Sequence, residues 1–352
     1  MKKFVSILMA LVFSVIIGGA VSAATGLNPY AVIGGGSVLS ALMPKMEGIA
    51  PMAIQKEIWI TSLVENLFAD NSFMSRAFNA DEFVMDGKVV HIPNAGSPSN
   101  VEKNRSSLPA TVKTRNDVDI TFNLDEYTTD PIKIGNAEQA ELSYNKRESL
   151  LMNDRMQLIK EVSEDFLYKW STSSSSRIIR TTGASYTSHL TGTTGTRKKI
   201  TKDELLSAME LFNAEDIAQE GRTAMLDAQM YSQLLASLTT SENADFNKQA
   251  DLAKGVLGKY ASFDIMMRSR ATRYTAALAP KAWTSAAAAT DQAGALLWHS
   301  GSVCRALGQT EAFEDEKKPL YYGDIYSFLV RAGGRIMRND LKGVAAIVQA
   351  NA

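Results

Sequence analysis

Residues 146–170 read KRESLLMNDRMQLIKEVSEDFLYKW, the longest uninterrupted helical pattern in the chain. Met152, Met156, Ile159, Val162, Phe166 and Trp170 recur three or four apart and share one face, while Arg155, Lys160, Glu161, Glu164 and Lys169 fall largely off it. No Gly or Pro interrupts the run. At about 1.5 Å per residue the helix would be roughly 35 Å long, the width of a small domain, so it acts as a strut.

Upstream of this helix the period changes. In residues 83–135, Phe83-Val84-Met85 leads into Asp86-Gly87, a tight hairpin signal, and then into Lys88-Val89-Val90-His91-Ile92-Pro93, a strand that proline should end. Residues 94–109 are polar and turn-rich, as in a long exposed loop. Val118, Ile120, Phe122 and Leu124 then alternate with Asp119, Thr121 and Asn123, which makes a second strand and a projecting hairpin that feeds the helix. Before the hairpin, residues 52–82 space Ile58, Leu63, Leu67 and Phe73 helically, and a compact domain begins there.

The first 51 residues have a different texture. Met1-Lys2-Lys3, the apolar run 4–17 and the small residues Ala20-Val21-Ser22-Ala23 have the three regions of a secretory signal peptide cleaved after Ala23. A membrane-spanning helix over 4–24 is also long enough, and an extension with no targeting role is the third reading. Residues 24–51 are punctuated by Gly, Ser and Pro and read as linker or extension; Gly34-Gly35-Gly36 lacks the Lys-Ser/Thr of a phosphate loop.

Downstream, residues 171–199 are rich in Ser, Thr and Gly and read as an exposed or mobile loop. Thr201 and Glu204 form a capping box into a helix through about Asn213. Arg222-Thr223-Ala224-Met225-Leu226 reads as a short buried strand and Asp227 as the N-cap of a helix through Leu238. A Gly-punctuated loop and a strand follow in 251–268, and Ala286 to Ala289 form a loop. The chain closes with strands at 324–331 and 343–348, with Gly333-Gly334 between them as a turn or bulge.

Composition narrows the function. Of 352 residues, 45% are hydrophobic and 21% charged, an ordinary globular balance for a core spread over two or three subdomains. Thirty-seven basic and 38 acidic residues leave a net charge of −1, which does not mark a dedicated nucleic-acid binder. The single cysteine, Cys304, excludes an internal disulfide and reads as a small buried apolar residue. His91, His189 and His299 are too far apart for a metal-ligand spacing. Glu161, Glu164 and Asp165 could be offered as paired carboxylates, but no basic or histidine partner accompanies them, and they read as a solvated helix face. Trp59, Trp170, Trp283 and Trp298 are dispersed packing anchors. No nucleophile motif is present. The residues themselves therefore nominate no catalytic, cofactor or metal site and no enzyme.

The order of the elements is more telling than any residue. The arm EIWITSLVENLFADNSFMSRAFN, the hairpin Gly87-Lys88-Val89-Val90-His91-Ile92-Pro93, a long polar loop, a second strand and the long helix resemble the major capsid proteins of tailed bacteriophages, with the Hong Kong 97-type fold. Trp298-His299-Ser300-Gly301-Ser302-Val303, Tyr321-Tyr322-Gly323-Asp324, Arg331-Ala332-Gly333-Gly334 and Asp340-Leu341-Lys342-Gly343-Val344 resemble that family's closing strands, so the likeness covers about residues 52–350. It implies an α+β capsid fold: a signal-like segment at 1–23, a linker or extension at 24–51, an N-terminal arm at 52–82, an extended E-loop hairpin at 83–135, a peripheral domain at 136–200 with the spine helix 146–170, an axial domain at 201–318, and closing strands of the peripheral domain at 319–352. The apolar face of the spine should pack on the closing strands around Ile325 and Phe328.

The implied function is structural. Many copies would assemble as hexamers and pentamers into an icosahedral shell around phage DNA, with no cofactor and no small-molecule substrate. Scaffold, portal and decoration proteins are the other partners, packaged DNA is contacted non-specifically, and assembly takes place in the host cytoplasm. Some members carry isopeptide cross-links; Lys103 or Lys113 and Asn339 are available here, and nothing in the sequence pairs them. The signal-like N-terminus supports a different reading, an exported bacterial α+β binding or surface protein.

Overall fold

In a computed structural model of the protein, the run at 146–170 is one helix, α1 (Lys146–Trp170), with the bounds its periodicity predicts. The structure describes residues 72–85, 88–94, 101–106, 112, 118–135, 146–320 and 322–352. The signal-like segment, the linker, residues 52–71 of the arm, Asp86-Gly87 and Lys113 lie outside the described residues.

The buried face of α1 differs from the expected one. Leu158, Ile159, Val162, Phe166, Leu167 and Trp170 are buried, but Met152 and Met156 are 48% and 54% exposed. Among the described side chains of the helix the buried ones begin at Leu158, and two adjacent i,i+4 rows, 158-162-166-170 and 159-163-167, are both covered. Ser163 fits between them, its hydroxyl donating to the Lys160 carbonyl at 2.8 Å.

Six short strands precede α1: β1 (Phe78–Asn79), β2 (Val84–Met85), β3 (Val89–Asn94), β4 (Val118–Asn123), β5 (Asp125–Thr128) and β6 (Ile132–Gly135). Strands β2, β3 and β4 make the antiparallel hairpin sheet that the alternation predicts, with Val84 opposite Val90 and Ile92 opposite Ile120. Val90, Ile92, Ile120 and Leu124 bury its apolar face against Cys304 and Ala306. Proline does not end β3, which runs on through Pro93 to Asn94. Among the described residues β2 pairs only with Val89 and Val90, so no strand there calls on an N–H at position 93 from that side.

The segment after α1 departs most from its sequence reading. Instead of an exposed loop, residues 171–199 contain a 3-10 turn and three short strands, β7 (Ile178–Arg180), β8 (Ser185–Thr187) and β9 (Thr196–Lys198), and bury Arg177, Thr181 and Arg197. Backbone and side-chain bonds tie it down: the Thr181 hydroxyl donates to the Lys198 carbonyl at 2.8 Å, and the Lys198 N–H donates to the Ala350 carbonyl at 2.9 Å. Ser and Thr signal a loop when their hydroxyls stay in solvent, but here several satisfy buried backbone groups.

Four further elements follow: α2 (Lys202–Ala214), β10 (Arg222–Asp227), α3 (Ala228–Ser237) and α4 (Thr240–Lys248). Helix α2 starts on the expected capping box, the Glu204 carboxylate accepting from the Thr201 N–H at 2.6 Å. Asp227 caps α3 as expected, accepting from the Met230 N–H at 2.6 Å. Sequence reading missed α4, which opens on a second capping box between Thr239 and Glu242. The chain ends with β11 (Gly258–Tyr260), β12 (Phe263–Arg268), β13 (Thr272–Tyr274), β14 (Gln292–His299), β15 (Val303–Lys318), β16 (Gly323–Ile336) and β17 (Val344–Val348).

Two larger sheets organise these strands. One has the order β1-β15-β16-β5, with β6 also on β16; the other has the order β11-β12-β10-β14-β17-β7, with β13 on β14. Helix α1 packs on β16 through Tyr326, Phe328, Val330 and Ala332. Phe328 is thus on the expected contact, but Ile325 is not, because strand alternation turns it to the opposite face. Gly333-Gly334 forms no turn: both glycines lie inside β16, paired with Ala306 and Arg305. A Cβ on Gly334 would come within 2.7 Å of Phe166 and 2.8 Å of the Trp170 indole nitrogen, so the missing side chain lets the helix approach the strand.

The final strand β17 joins β14 and β7 in the second sheet, not β15 and β16, while β15 joins the sheet under α1. The expected divisions at 201–318 and 319–352 therefore do not follow the sheets. The second sheet is covered on both faces: Met225, Met266, Leu296 and Trp298 face the α1 core, and Ala224, Leu226, Ile265 and Leu297 face α2 and α3. That double burial explains the continuous apolar runs in β10, β14 and β17.

Candidate functional site

Most of the residues that could carry chemistry are engaged structurally. The Tyr127 hydroxyl donates to Asp165 at 2.5 Å, and Lys169 pairs with Asp165 at 2.9 Å and also with Asp125, which fastens α1 to β5. Burial, with Asp165 beside it, pushes the Tyr127 hydroxyl well above its ordinary range. Glu161 accepts from Gln157 at 3.0 Å on the helix surface. Glu164 corrects the solvated-face reading: it is 4% exposed, faces Arg270 at 3.8 Å, and burial pushes its carboxyl up. The three carboxylates thus point to different partners and do not form one site.

The remaining candidates are likewise dispersed. His91 is exposed on β3. His189 bonds Tyr186 at 2.9 Å and Asp227 at 2.8 Å, and the His299 ring accepts from the Gly301 N–H at 3.1 Å. Cys304 is fully buried, and burial pushes its thiol up to about 11. Trp170 and Trp298 are core anchors with ring centroids 5.6 Å apart. Among the described residues no group of three or more His, Cys, Asp or Glu side chains could hold a metal ion. Lys103 and Asn339 are both exposed, each in a turn.

What the surface offers is apolar projection. Ahead of its buried stretch, α1 presents Met152 and Met156 to the surface one helical turn apart. The turn between β15 and β16 presents Leu320 and Tyr322, 85% and 81% exposed, and Phe313 is exposed further back along β15. Strand β15 is long, roughly 50 Å at about 3.3 Å per residue. β1 pairs with only Cys304 and Arg305, so most of its outer edge is unpaired by strand among the described residues. On its inner side the pairing of β15 with β16 shifts register between Leu307 and Thr310 and between Asp315 and Lys318, irregularities that bend and twist a long strand. Exposed apolar groups and an open sheet edge are what a surface made for other chains displays.

No protein-family model matches the sequence, and no curated protein does. Solved structures do match the fold. The capsid structure of the cyanophage P-SCSP1u aligns with a TM-score of 0.56 at 16% identity, over 79% of this chain and 87% of that one. The capsid of Ralstonia phage GP4 aligns at 0.57 and 14% identity, over 79% and 87%. This chain has the phage capsid fold. The cyanophage Pam1 capsid asymmetric unit adds a third match, at 0.52 and 10% identity over 77% and 88%. In this capsid fold the long helix, the β2-β3-β4 hairpin and the closing strands occupy the order that the sequence resemblance implied. Among the described residues no helix is long and apolar enough to cross a membrane.

Proposed function

We propose that this protein is a major capsid protein whose copies build an icosahedral shell around phage DNA, as hexamers and pentamers, and that its role is structural and not enzymatic. The observation that carries this reading is the match to capsid structures over nearly nine-tenths of their length, 87% for both the P-SCSP1u and GP4 chains. Exposed Met152, Met156, Leu320 and Tyr322 support it, because a shell subunit places apolar surface where a neighbour covers it. In this reading residues 52–82 are the arm, the β2-β3-β4 hairpin is the E-loop, α1 is the spine, the first sheet belongs to the peripheral domain, and the second sheet with α2 and α3 is the axial body. Assembly takes place in the host cytoplasm. Scaffold and portal proteins are further partners, and the inner face touches DNA without reading its sequence.

Size-exclusion chromatography and negative-stain microscopy of the full chain and of a chain beginning at Met52 test the proposal. Capsomer rings or polyhedral particles are expected. A monomer that stays monomeric at high concentration overturns it and favours an exported binding protein. Sequencing the N-terminus of assembled subunits decides whether Met1, Ala24 or Met52 comes first.

A further inference from the structure

Beside the connection between β12 and β13 a cleft of about 310 Å³ opens, lined by His189, Ser269, Arg270, Arg273, Trp283 and Ser285 among others. Two guanidinium groups are fixed in it. Arg270 and Arg273 lie 5.2 and 5.1 Å from the centroid of the Trp283 ring, an arrangement that holds a cation in place by its attraction to the ring face. The Trp283 indole N–H donates to the Ala271 carbonyl at 3.2 Å, so the ring itself is anchored.

The charge around these groups is unevenly satisfied. The Arg273 side chain is 5% exposed; its terminal nitrogens serve the Ser285 and Ala282 carbonyls and face Asp291 at 3.8 Å, but its buried Nε has no hydrogen-bond partner. Arg270 is half-exposed, and Glu164 lies 3.8 Å away, beyond hydrogen-bond range. Asp227, the one acidic residue on the lining, is already engaged through both oxygens, by the Met230 N–H and by His189. Asp291 therefore balances Arg273, and what the cleft leaves available is the half-exposed Arg270 guanidinium, with Ser269 and Ser285 on the same lining.

We propose that this cleft binds a phosphate-type oxyanion, held by the Arg270 guanidinium with the Ser269 and Ser285 hydroxyls, while Arg273 and the Trp283 ring form its floor. Planar, fixed guanidinium donors match the geometry of phosphate oxygens, and charge-assisted bonds of this kind are the strong ones. The oxyanion comes either from free phosphate or from the backbone of a nucleic acid, and the same groups would hold both.

Titration calorimetry on the full chain tests this with inorganic phosphate in one arm and a short single-stranded oligonucleotide in the other. The expected result is saturable binding in at least one arm, weakened tenfold or more by Arg270→Ala and by Ser269→Asp, and unchanged by Arg331→Ala, which removes a cation on β16 that pairs with Glu126. Binding of phosphate alone assigns the free anion, and binding of the oligonucleotide alone assigns the nucleic acid. Absence of saturable binding in both arms overturns the proposal, as does equal weakening by Arg331→Ala. Ser269 is exposed, so its variant keeps the test open if Arg270→Ala fails to fold. Particle formation is read separately by microscopy, so failure here leaves the capsid reading standing.

Discussion

Trp170, at the C-terminal end of α1, donates its indole N–H to the Cys304 carbonyl at 2.9 Å, across 134 residues of sequence. That bond fixes the end of the long helix to the first residues of β15. It sits within an aromatic cluster in which Phe73 and Phe166 lie 5.9 and 5.7 Å from the Trp170 ring.

Trp170→Ala should therefore cost about 3–5 kcal/mol in denaturant unfolding, because it opens a cavity in a fully buried cluster. Trp170→Phe keeps most of the packing but loses the bond to Cys304, so it should cost less, about 1–3 kcal/mol. Equal losses for the two variants would show that the hydrogen bond, not the volume, dominates.

Gly334→Ala should destabilise by about 1–3 kcal/mol, since the added methyl would meet Phe166, Trp170 and the Cys304 carbonyl at 2.7–2.8 Å. Gly301→Ala is the control. Its nearest atoms would be those of the His299 ring at 3.4 and 3.5 Å, so thermal melting of that variant should stay close to the parent.

Acid should weaken the start of α4. Two bonds from the Lys202 ammonium to Glu242, at 2.9 and 3.0 Å, and then the Thr239 N–H at 2.8 Å, hold the Glu242 carboxyl at about 2, below its ordinary 4.5. A carboxyl depressed in the folded state stabilises fully above its unfolded value and loses that contribution as pH falls from about 4.5 toward about 2. Melting curves of Glu242→Gln and the parent should differ at pH 7 and converge near pH 2; a constant difference would rule out the ionic origin.

Met152→Gln combined with Met156→Gln should leave the subunit's melting temperature almost unchanged, since both side chains are about half-exposed. Under the capsid reading the same pair should reduce the yield of particles by sedimentation. A large loss of subunit stability instead would place the methionines in the fold and not at an interface.

Local signals were legible and tertiary choices were not. The bounds of α1, the Thr201–Glu204 box, the Asp227 cap and the buried strand at Arg222 all rest on short-range chemistry, and the structure reproduces them. The box between Thr239 and Glu242 carries the same S/T-x-x-E pattern and could have been read by the same rule. Which face of α1 is buried depended on how far β16 reaches beneath it, so Met152 and Met156 looked equivalent to Ile159 in the sequence. Gly333-Gly334 looked like a turn because the reason for the glycines, the approach of Phe166 and Trp170, lies about 170 residues upstream in the chain. The cleft beside Trp283 was invisible for the same reason: His189, Arg270 and Trp283 meet only through the sheet.

The short parallel strand β1 has a consequence for synthesis. Its neighbourhood is closed by the Trp298 indole donating to the Arg76 carbonyl at 3.0 Å and by the Leu307 N–H donating to Asp81 at 2.7 Å, contacts that span 222 and 226 residues. At about 5–20 residues per second, a ribosome needs roughly 10–45 s to make the partner after making the N-terminal side. During that interval Phe73 and Met74, both buried in the finished subunit, lack the part of their cover that Trp298 supplies. These contacts can close only once Trp298 and Leu307 have been made, so until then Phe73 and Met74 are apolar surface on which a nascent chain can aggregate.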